Sequence, residues 1–424
     1  MNANEKLTIC FHPWFIFNEN EDFDTLMDEI AERGFNCIRI EGGAGLLWDK
    51  DGNVQTDTLI SQPFGKYSKY TTFKTLANGK RMNLLERLLT VCRCAKERNI
   101  KVILSSWFYL HTNWFCEEED VKHLFEITTE EKMSYFADEL SRILHVLKKE
   151  KLIDIVAFAE IFNEFDGLPF VTEGYRGVDN ETAKRFRELH EKEIDKLKTE
   201  HPDVLFAFDC WTPRVNPELV PRNIDVLNFH CYYLWSVYNV FQKNIIHRSL
   251  EESVIPESTR YFLRDEIIPV AEIAKEMGVI RTGMDWPSRI SLYASIDEKK
   301  EPELTELLDN ELKNNFDNYL KKLQDSIEDI LKTHRAVVPN AKLVMGEGAT
   351  YCASPDLTFE RDSKYFWEMM KIQMELLGRK GLWGSIITTT HAPEKQHLAW
   401  DACKGLCKEA NKLFLNTDSE EGKC

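Results

Sequence analysis

The chain has 424 residues, of which 43% are hydrophobic and 11% aromatic, and a formal charge of −17. That length holds one large domain or two to three average ones, and the negative field argues against nucleic acid or an anionic membrane as a partner. No apolar run reaches the roughly 18 residues of a transmembrane helix, and the start, MNANEKLTICFHPWF, lacks a basic segment leading into an apolar one, so no signal peptide is expected and the protein reads as cytoplasmic; a chain deprived of its leader would read the same.

Strand-like and helix-like segments then alternate. LTICFHPWF is a short apolar run, and DFDTLMDEIAERG follows with Leu26, Ile30 and Gly34 placed as helix face and stop. FNCIRIEGG is the second strand, and RMNLLERLLTVCRCAKERN gathers Leu84, Leu85, Leu88, Leu89, Cys92 and Ala95 on one helical face. IKVILSSWF and EEKMSYFADELSRILHVLKKE form the third pair. IDIVAFAEIFNE with ETAKRFRELHEKEIDKLKTE is the fourth, and DVLFAFDCW, IDVLNFHCYY and AKLVMGEGA are strands five to seven. DSKYFWEMMKIQMELLGRKG, LWGSIITTT and HLAWDACKGLCKEANKLFL close the pattern as helix, eighth strand and helix.

Near-continuous apolar strands suit a parallel sheet covered on both faces. Eight of them alternating with helices predict an α/β fold, a (β/α)8 TIM barrel, as a single domain over residues 1–424. An open doubly wound sheet fits the alternation too, but no glycine-rich phosphate loop follows the first strand. Two connections exceed a simple turn: residues 41–82, and residues 233–340 with an insertion of about 233–300. The second is expected to hold a helix near 261–278, a loop RTGMDWPSRISLYASID and one long acidic helix near 303–334. Connections of that length in a compact domain are usually lids or binding loops.

There are 11 cysteines. Cys10, Cys37, Cys210 and Cys231 lie in apolar strands, where Cys acts as a small hydrophobe. Cys92 with Cys94, and Cys403 with Cys407, lack the paired spacing of a zinc site. Reduced structural thiols are the expectation.

A barrel of this kind works at the C-terminal ends of its strands. Those ends carry His12 and Trp14; Arg39 and Glu41; Trp107, with His111 and Trp114 beyond; Asn163 and Glu164; Asp209 and Trp211; His230 and Tyr232; Glu347; and Thr388, Thr389, Thr390 and His391. Indoles with fixed donors and acceptors beside them suit a sugar ring, and two carboxylates across a barrel mouth suit glycosidic cleavage. Trp14, Trp107, Trp211 and Trp235 either lid the core or face substrate. Trp286 is a weaker candidate, Trp367 and Trp400 read as core, and His391 and Glu394 follow strand eight. Asp209 serves either rim hydrogen bonding or sugar contact. A His12/His111/His230 metal site has no recognisable ligand spacing, so no metal and no cofactor are expected.

The run Glu160-Ile161-Phe162-Asn163-Glu164 at strand four resembles the cellulase family, glycoside hydrolase family five, of the clan A barrels. So do Arg39 on strand two, His230-Cys231-Tyr232 on strand six and Glu347 at the end of strand seven, in that order across residues 7–413. Phe165 stands where the family usually has Pro, and threonines end strand eight where it usually has Trp. His111 is the candidate for the family's strand-three histidine.

The resemblance implies a retaining O-glycosyl hydrolase acting by double displacement on a β-linked oligosaccharide or glycoside. Glu164 is then the acid/base and Glu347 the nucleophile, ionised beside Arg39 and Tyr232. Asn163 binds the sugar 2-hydroxyl, and Glu160 is a structural acid bonded to His230. A non-catalytic or transglycosylating carbohydrate-binding barrel is the alternative; an aldolase or metal hydrolase would need a strand-end Lys or a His/Asp ligand set.

Overall fold

The computed structural model describes residues 5–18, 22–172, 177–242, 255–276, 286–350, 358–389 and 399–419. Eight parallel strands close into a barrel: β1 (Leu7–Phe11), β2 (Cys37–Glu41), β5 (Lys101–Ser105), β6 (Val156–Glu160), β7 (Phe206–Cys210), β8 (Val226–Cys231), β9 (Lys342–Gly348) and β10 (Gly384–Ile386). β3 (Thr58–Ile60) and β4 (Lys80–Met82) pair separately as an antiparallel ribbon within the 41–82 connection. The fold is the (β/α)8 barrel that the alternation of apolar runs predicts.

Strand periodicity builds the interior in layers. Cys37, Phe158, Ala207 and Val226 pack with Leu7, Ile9, Ile103, Ala157 and Val344 in an apolar floor. Two residues further along the same strands, on the same face, stand Arg39, Glu160, Asp209 and Asn228, all buried. The barrel therefore passes from a hydrocarbon layer to a charged layer within one strand period, just below its C-terminal mouth.

The surrounding helices turn apolar stripes to the barrel. In the helix Thr129–Lys149 these include Met133, Phe136, Leu140, Ile143, Leu144 and Leu147, and its start is fixed by a capping box between Thr128 and Glu131. Trp367 and Trp400 are buried, as their helical positions suggest. The nine cysteines among the described residues are free thiols, eight of them buried and Cys116 half-buried.

The second long connection departs from expectation. Within the expected 261–278 helix, only Val270–Glu276 is helical among the described residues. Part of the expected loop is the helix Trp286–Ala294, because Pro287 sits in a first turn, where it needs no hydrogen-bonding N–H. The expected single acidic helix is two, Glu301–Asn314 and Phe316–Val337, broken at Asn315 with φ −118° and ψ 21°. This connection meets the first one over the barrel. Phe64 and Phe73 pack on Trp286 at ring-centroid distances of 6.3 and 5.5 Å, and Tyr67 donates a hydrogen bond to Glu272.

Candidate active site

Arg39 is the centre of the charged layer. Its Nε donates to Glu160 Oε1 at 3.0 Å and its Nη1 to Glu347 Oε1 at 2.7 Å. Its Nη2 donates to Asn163 Oδ1 at 2.7 Å and to Asp209 Oδ2 at 3.0 Å. The guanidinium also lies 4.7 Å from the Trp107 ring centroid. Burial opposes its charge, but Glu160, Asp209 and Glu347 outweigh that and raise its pKa.

His230 joins the two halves of the site. Its Nδ1 lies 2.8 Å from Glu164 Oε1, and its Nε2 lies 3.1 Å from Asp209 Oδ2 and 3.5 Å from Glu347 Oε1. Burial disfavours the imidazolium, yet Asp209 and Glu347 raise its pKa well above the ordinary histidine value. In that form both ring nitrogens donate. Tyr232, two residues on, donates its hydroxyl to Glu347 Oε2. A carboxylate oxygen of Glu164 and one of Glu347 lie within 4.8 Å of each other and of a His230 nitrogen.

Exposure separates the carboxylates. The side chains of Glu160 and Asp209 are 0% exposed, while Glu347 is 6% and Glu164 13% exposed. Glu160 and Asp209 are thus internal counter-ions. Burial lifts Glu160 to about 7. In Asp209 burial is overcome by His230 and Arg39, and the pKa is lowered. Burial raises the Glu164 carboxyl, opposed by His230 and reinforced by Glu347 and Asp209.

Two backbone devices aim the exposed pair. Glu164 has φ 49° and ψ 52°, a left-handed conformation that costs a non-glycine residue roughly 1–3 kcal/mol. Its N–H is tied to Asp209 Oδ1 at 2.6 Å. Phe165, where proline is usual in the family resembled, fills a cluster with Phe162, Phe186, Phe208 and His190. On β9 the register with β8 shifts after Phe229, so that Met345 faces Phe229 but Glu347 faces His230. Gly346 is the extra residue, a bulge of the kind that re-aims a side chain.

The other expected residues divide. Glu160 is not bonded to His230; it accepts from Arg39 and from the Asn228 amide at 3.2 Å, because His230 stands two residues beyond Asn228 on β8, between Asp209 and Glu164. Asp209, expected either to hydrogen-bond at the rim or to contact sugar, is enclosed by Arg39, His230, Asn228 and the Glu164 N–H. Trp14 is 4% exposed and packs on Phe73, Trp107, His111 and Phe115. His111 belongs to the same aromatic wall, edge-on to Trp114 and Trp286, and burial lowers its pKa to about 3. His12 instead contacts Asn18 through Nε2. Trp211 is 36% exposed. Trp235 and Tyr232 line a cavity of about 370 Å³ with Thr212, Arg214, Lys322 and Asp325.

Thr389 accepts the Gly348 N–H at 2.9 Å, holding the end of β9 where the resemblance implies a tryptophan. His391 and Glu394 lie outside the described residues. Asn228 and Gly346 were not anticipated. The signal for the first is an amide inside the apolar run VLNFHC, at an inward-facing position. Among the described residues, Glu164, His230 and Glu347 could also ligate a metal ion, as could His145, Glu200 and His201 elsewhere.

A family model described as "Cellulase-like: Sugar-binding cellulase-like" matches residues 15–404. No curated protein matches the chain. A structure from Parabacteroides distasonis ATCC 8503, provisionally assigned as a glycoside hydrolase, is similar with a TM-score of 0.67 and 15% identity over 98% of this chain and 95% of that one. An endo-β-1,4-mannanase from Thermotoga petrophila is similar with a TM-score of 0.51 and 13% identity over 97% and 77% of the two chains. At these identities the similarity concerns the fold.

Proposed function

The chain belongs to the sugar-binding cellulase-like family, and on that premise we propose that it is a retaining glycoside hydrolase acting on a β-linked oligosaccharide or glycoside. The observation that carries the reading is the pairing of Glu164 and Glu347. They are the less buried of the four carboxylates around Arg39 and His230, and one oxygen of each lies within 4.8 Å of the other. Retaining enzymes hold their carboxyl groups about 5 to 5.5 Å apart, whereas inverting enzymes leave roughly 6.5 to 9.5 Å for a water.

Glu347, held by Arg39 and Tyr232, attacks the anomeric carbon. Glu164, kept protonated by burial, gives its proton to the departing oxygen. Because Glu164 Oε1 is occupied by His230, Oε2 carries that proton. A water that Glu164 then deprotonates attacks the glycosyl ester and releases Glu347 with retained configuration. Asn163 is the residue for the sugar 2-hydroxyl, its Oδ1 fixed by Arg39. Arg39 and His230 supply the positive charge that the developing carboxylate requires. Trp235 and Tyr232 supply ring faces, while Trp107, buried beneath Arg39, belongs with Trp14 and His111 to the supporting wall.

The test is a fluorosugar that forms a stable glycosyl ester, followed by mass spectrometry of the labelled peptide. Labelling of Glu347, retained anomeric configuration in the product, and loss of about 10²- to 10⁴-fold in rate in Glu164→Gln are expected. Ligand binding without turnover in the wild-type chain would favour a non-catalytic sugar-binding barrel instead.

A further inference from the structure

Arg289 lies on the helix Trp286–Ala294, in the connection that covers the barrel mouth. Its guanidinium lies over two indoles, 4.5 Å from the Trp235 ring centroid and 5.4 Å from that of Trp286. Its Nε is buried and has no hydrogen-bond acceptor. Among the described residues Arg289 forms no ion pair, in a chain that carries 17 more acidic than basic groups. A buried, unsatisfied donor is costly, and arginine is a residue whose planar fork matches a carboxylate.

The position is tied to the proposed reaction centre by an unbroken aromatic path. Arg39 lies on Trp107, Trp107 meets Trp14 at 6.1 Å, Trp14 meets His111 at 5.9 Å, and His111 meets Trp286 at 5.8 Å. On the other side, Trp235 follows Tyr232 by three residues and shares with it the wall of the 370 Å³ cavity. The indoles fix the plane of the guanidinium before any ligand arrives, so little of its freedom is left to lose on binding.

We propose that Arg289 is the receptor for an anionic substituent on the substrate, and that the saccharide carries a carboxylate, as a uronic acid does. This rests on the glycosidase reading above and narrows it to acidic β-linked saccharides. The sugar ring lies against Trp235, and its carboxylate accepts from the accessible end of the Arg289 fork.

The experiment uses one β-linked, glucuronate-bearing oligosaccharide and the same oligosaccharide after reduction of its carboxyl groups to alcohols. Calorimetry on the full chain is compared with Arg289→Met, which keeps the stem against the indoles, and with Arg289→Lys, which keeps charge without the fork. The acidic form should bind about 10- to 100-fold tighter than the reduced form in the wild type. That ratio should collapse in R289M and recover partly in R289K.

Equal binding of both forms, no binding of either, or a ratio unchanged in R289M overturns the inference. Tighter binding of a glucoside 6-phosphate than of the carboxylate reassigns the ligand to phosphate and overturns it as well. A merely structural arginine would weaken both forms alike. Because binding is read separately from hydrolysis, an Arg289-dependent preference without turnover would sink the hydrolase reading alone. Turnover without the preference would sink this inference alone.

Discussion

Gly346 and Asn228 occupy each other's space. A Cβ at position 346 would stand 2.4 Å from Asn228 Oδ1 and 2.5 Å from its Nδ2. The amide cannot retreat freely, since Nδ2 donates to Asp209 at 2.6 Å and to Glu160 at 3.2 Å. Gly346→Ala should therefore lower stability by about 1–3 kcal/mol and shift Glu347 off His230. Misplacing a reacting group by about 1 Å costs on the order of 10²-fold in rate. Urea unfolding and kcat report the two effects. Asn228→Ala in the same chain should relieve part of the loss; strictly additive effects of the two substitutions would contradict this fit.

The pH–rate profile should carry the mark of Glu164. Its carboxyl is raised, first by burial and then by Glu347 and Asp209. A raised acid keeps its proton to higher pH, so the basic limb of kcat/KM should lie above the ordinary glutamate range. His230 acts the other way by favouring the carboxylate. In His230→Gln the basic limb should move further toward alkaline pH, and movement toward acid would show that His230 does not act on Glu164 in this way.

Arg39 is ion-paired with Glu160, Asp209 and Glu347. Arg39→Met leaves these carboxylates facing one another in the barrel. The expected cost is about 3–5 kcal/mol, the usual consequence of breaking a buried pair from one side. Arg39→Lys should recover little, because one ammonium cannot reproduce the fork that bonds Glu160, Asn163, Asp209 and Glu347. A thermal midpoint for R39M equal to that of the wild type would refute the central role given to this residue.

Glu41 links pH to stability outside the reaction centre. Burial raises its pKa to about 7, against hydrogen bonds from Thr112 and from the Gly43 and Trp107 N–H groups. The folded value lies above the unfolded one near 4.5. Its contribution is thus fully present below about pH 4.5 and is lost as pH rises toward about 7. Glu41→Gln should flatten that part of the stability curve, measured as urea midpoints across the window. An unchanged slope would exclude Glu41 as its source.

The strands were legible because a parallel sheet buried on both faces demands apolar runs, and IDIVAFAE or AKLVMG has no other plausible use. The strand-end placement of Glu164 and Glu347 was legible because each follows such a run. The Gly346 bulge was not, since it exists only in the register between β8 and β9, which no single segment encodes. Glu160 was assigned the wrong partner for a related reason: which side chains meet across a barrel depends on their height along different strands. The strand-end tryptophans could not be sorted from one another, because burial is set by loop residues far apart in sequence: Phe73, His111 and Phe115 cover Trp14, while Trp211 is left exposed. The helix Trp286–Ala294 is short and lies inside the stretch RTGMDWPSRISLYASID, whose flanks are not helical among the described residues, so it reads as loop.

The meeting of Phe64 and Phe73 with Trp286 means that the roof of the barrel has two owners in the sequence, more than two hundred residues apart. Neither piece can be trimmed or exchanged without stripping the other of its cover. Recombination that alters what this protein accepts must therefore carry both pieces together. The charged layer beneath, where Arg39 joins the strands, belongs to neither piece, so a matched exchange of both would change the cover and leave the carboxylates in place.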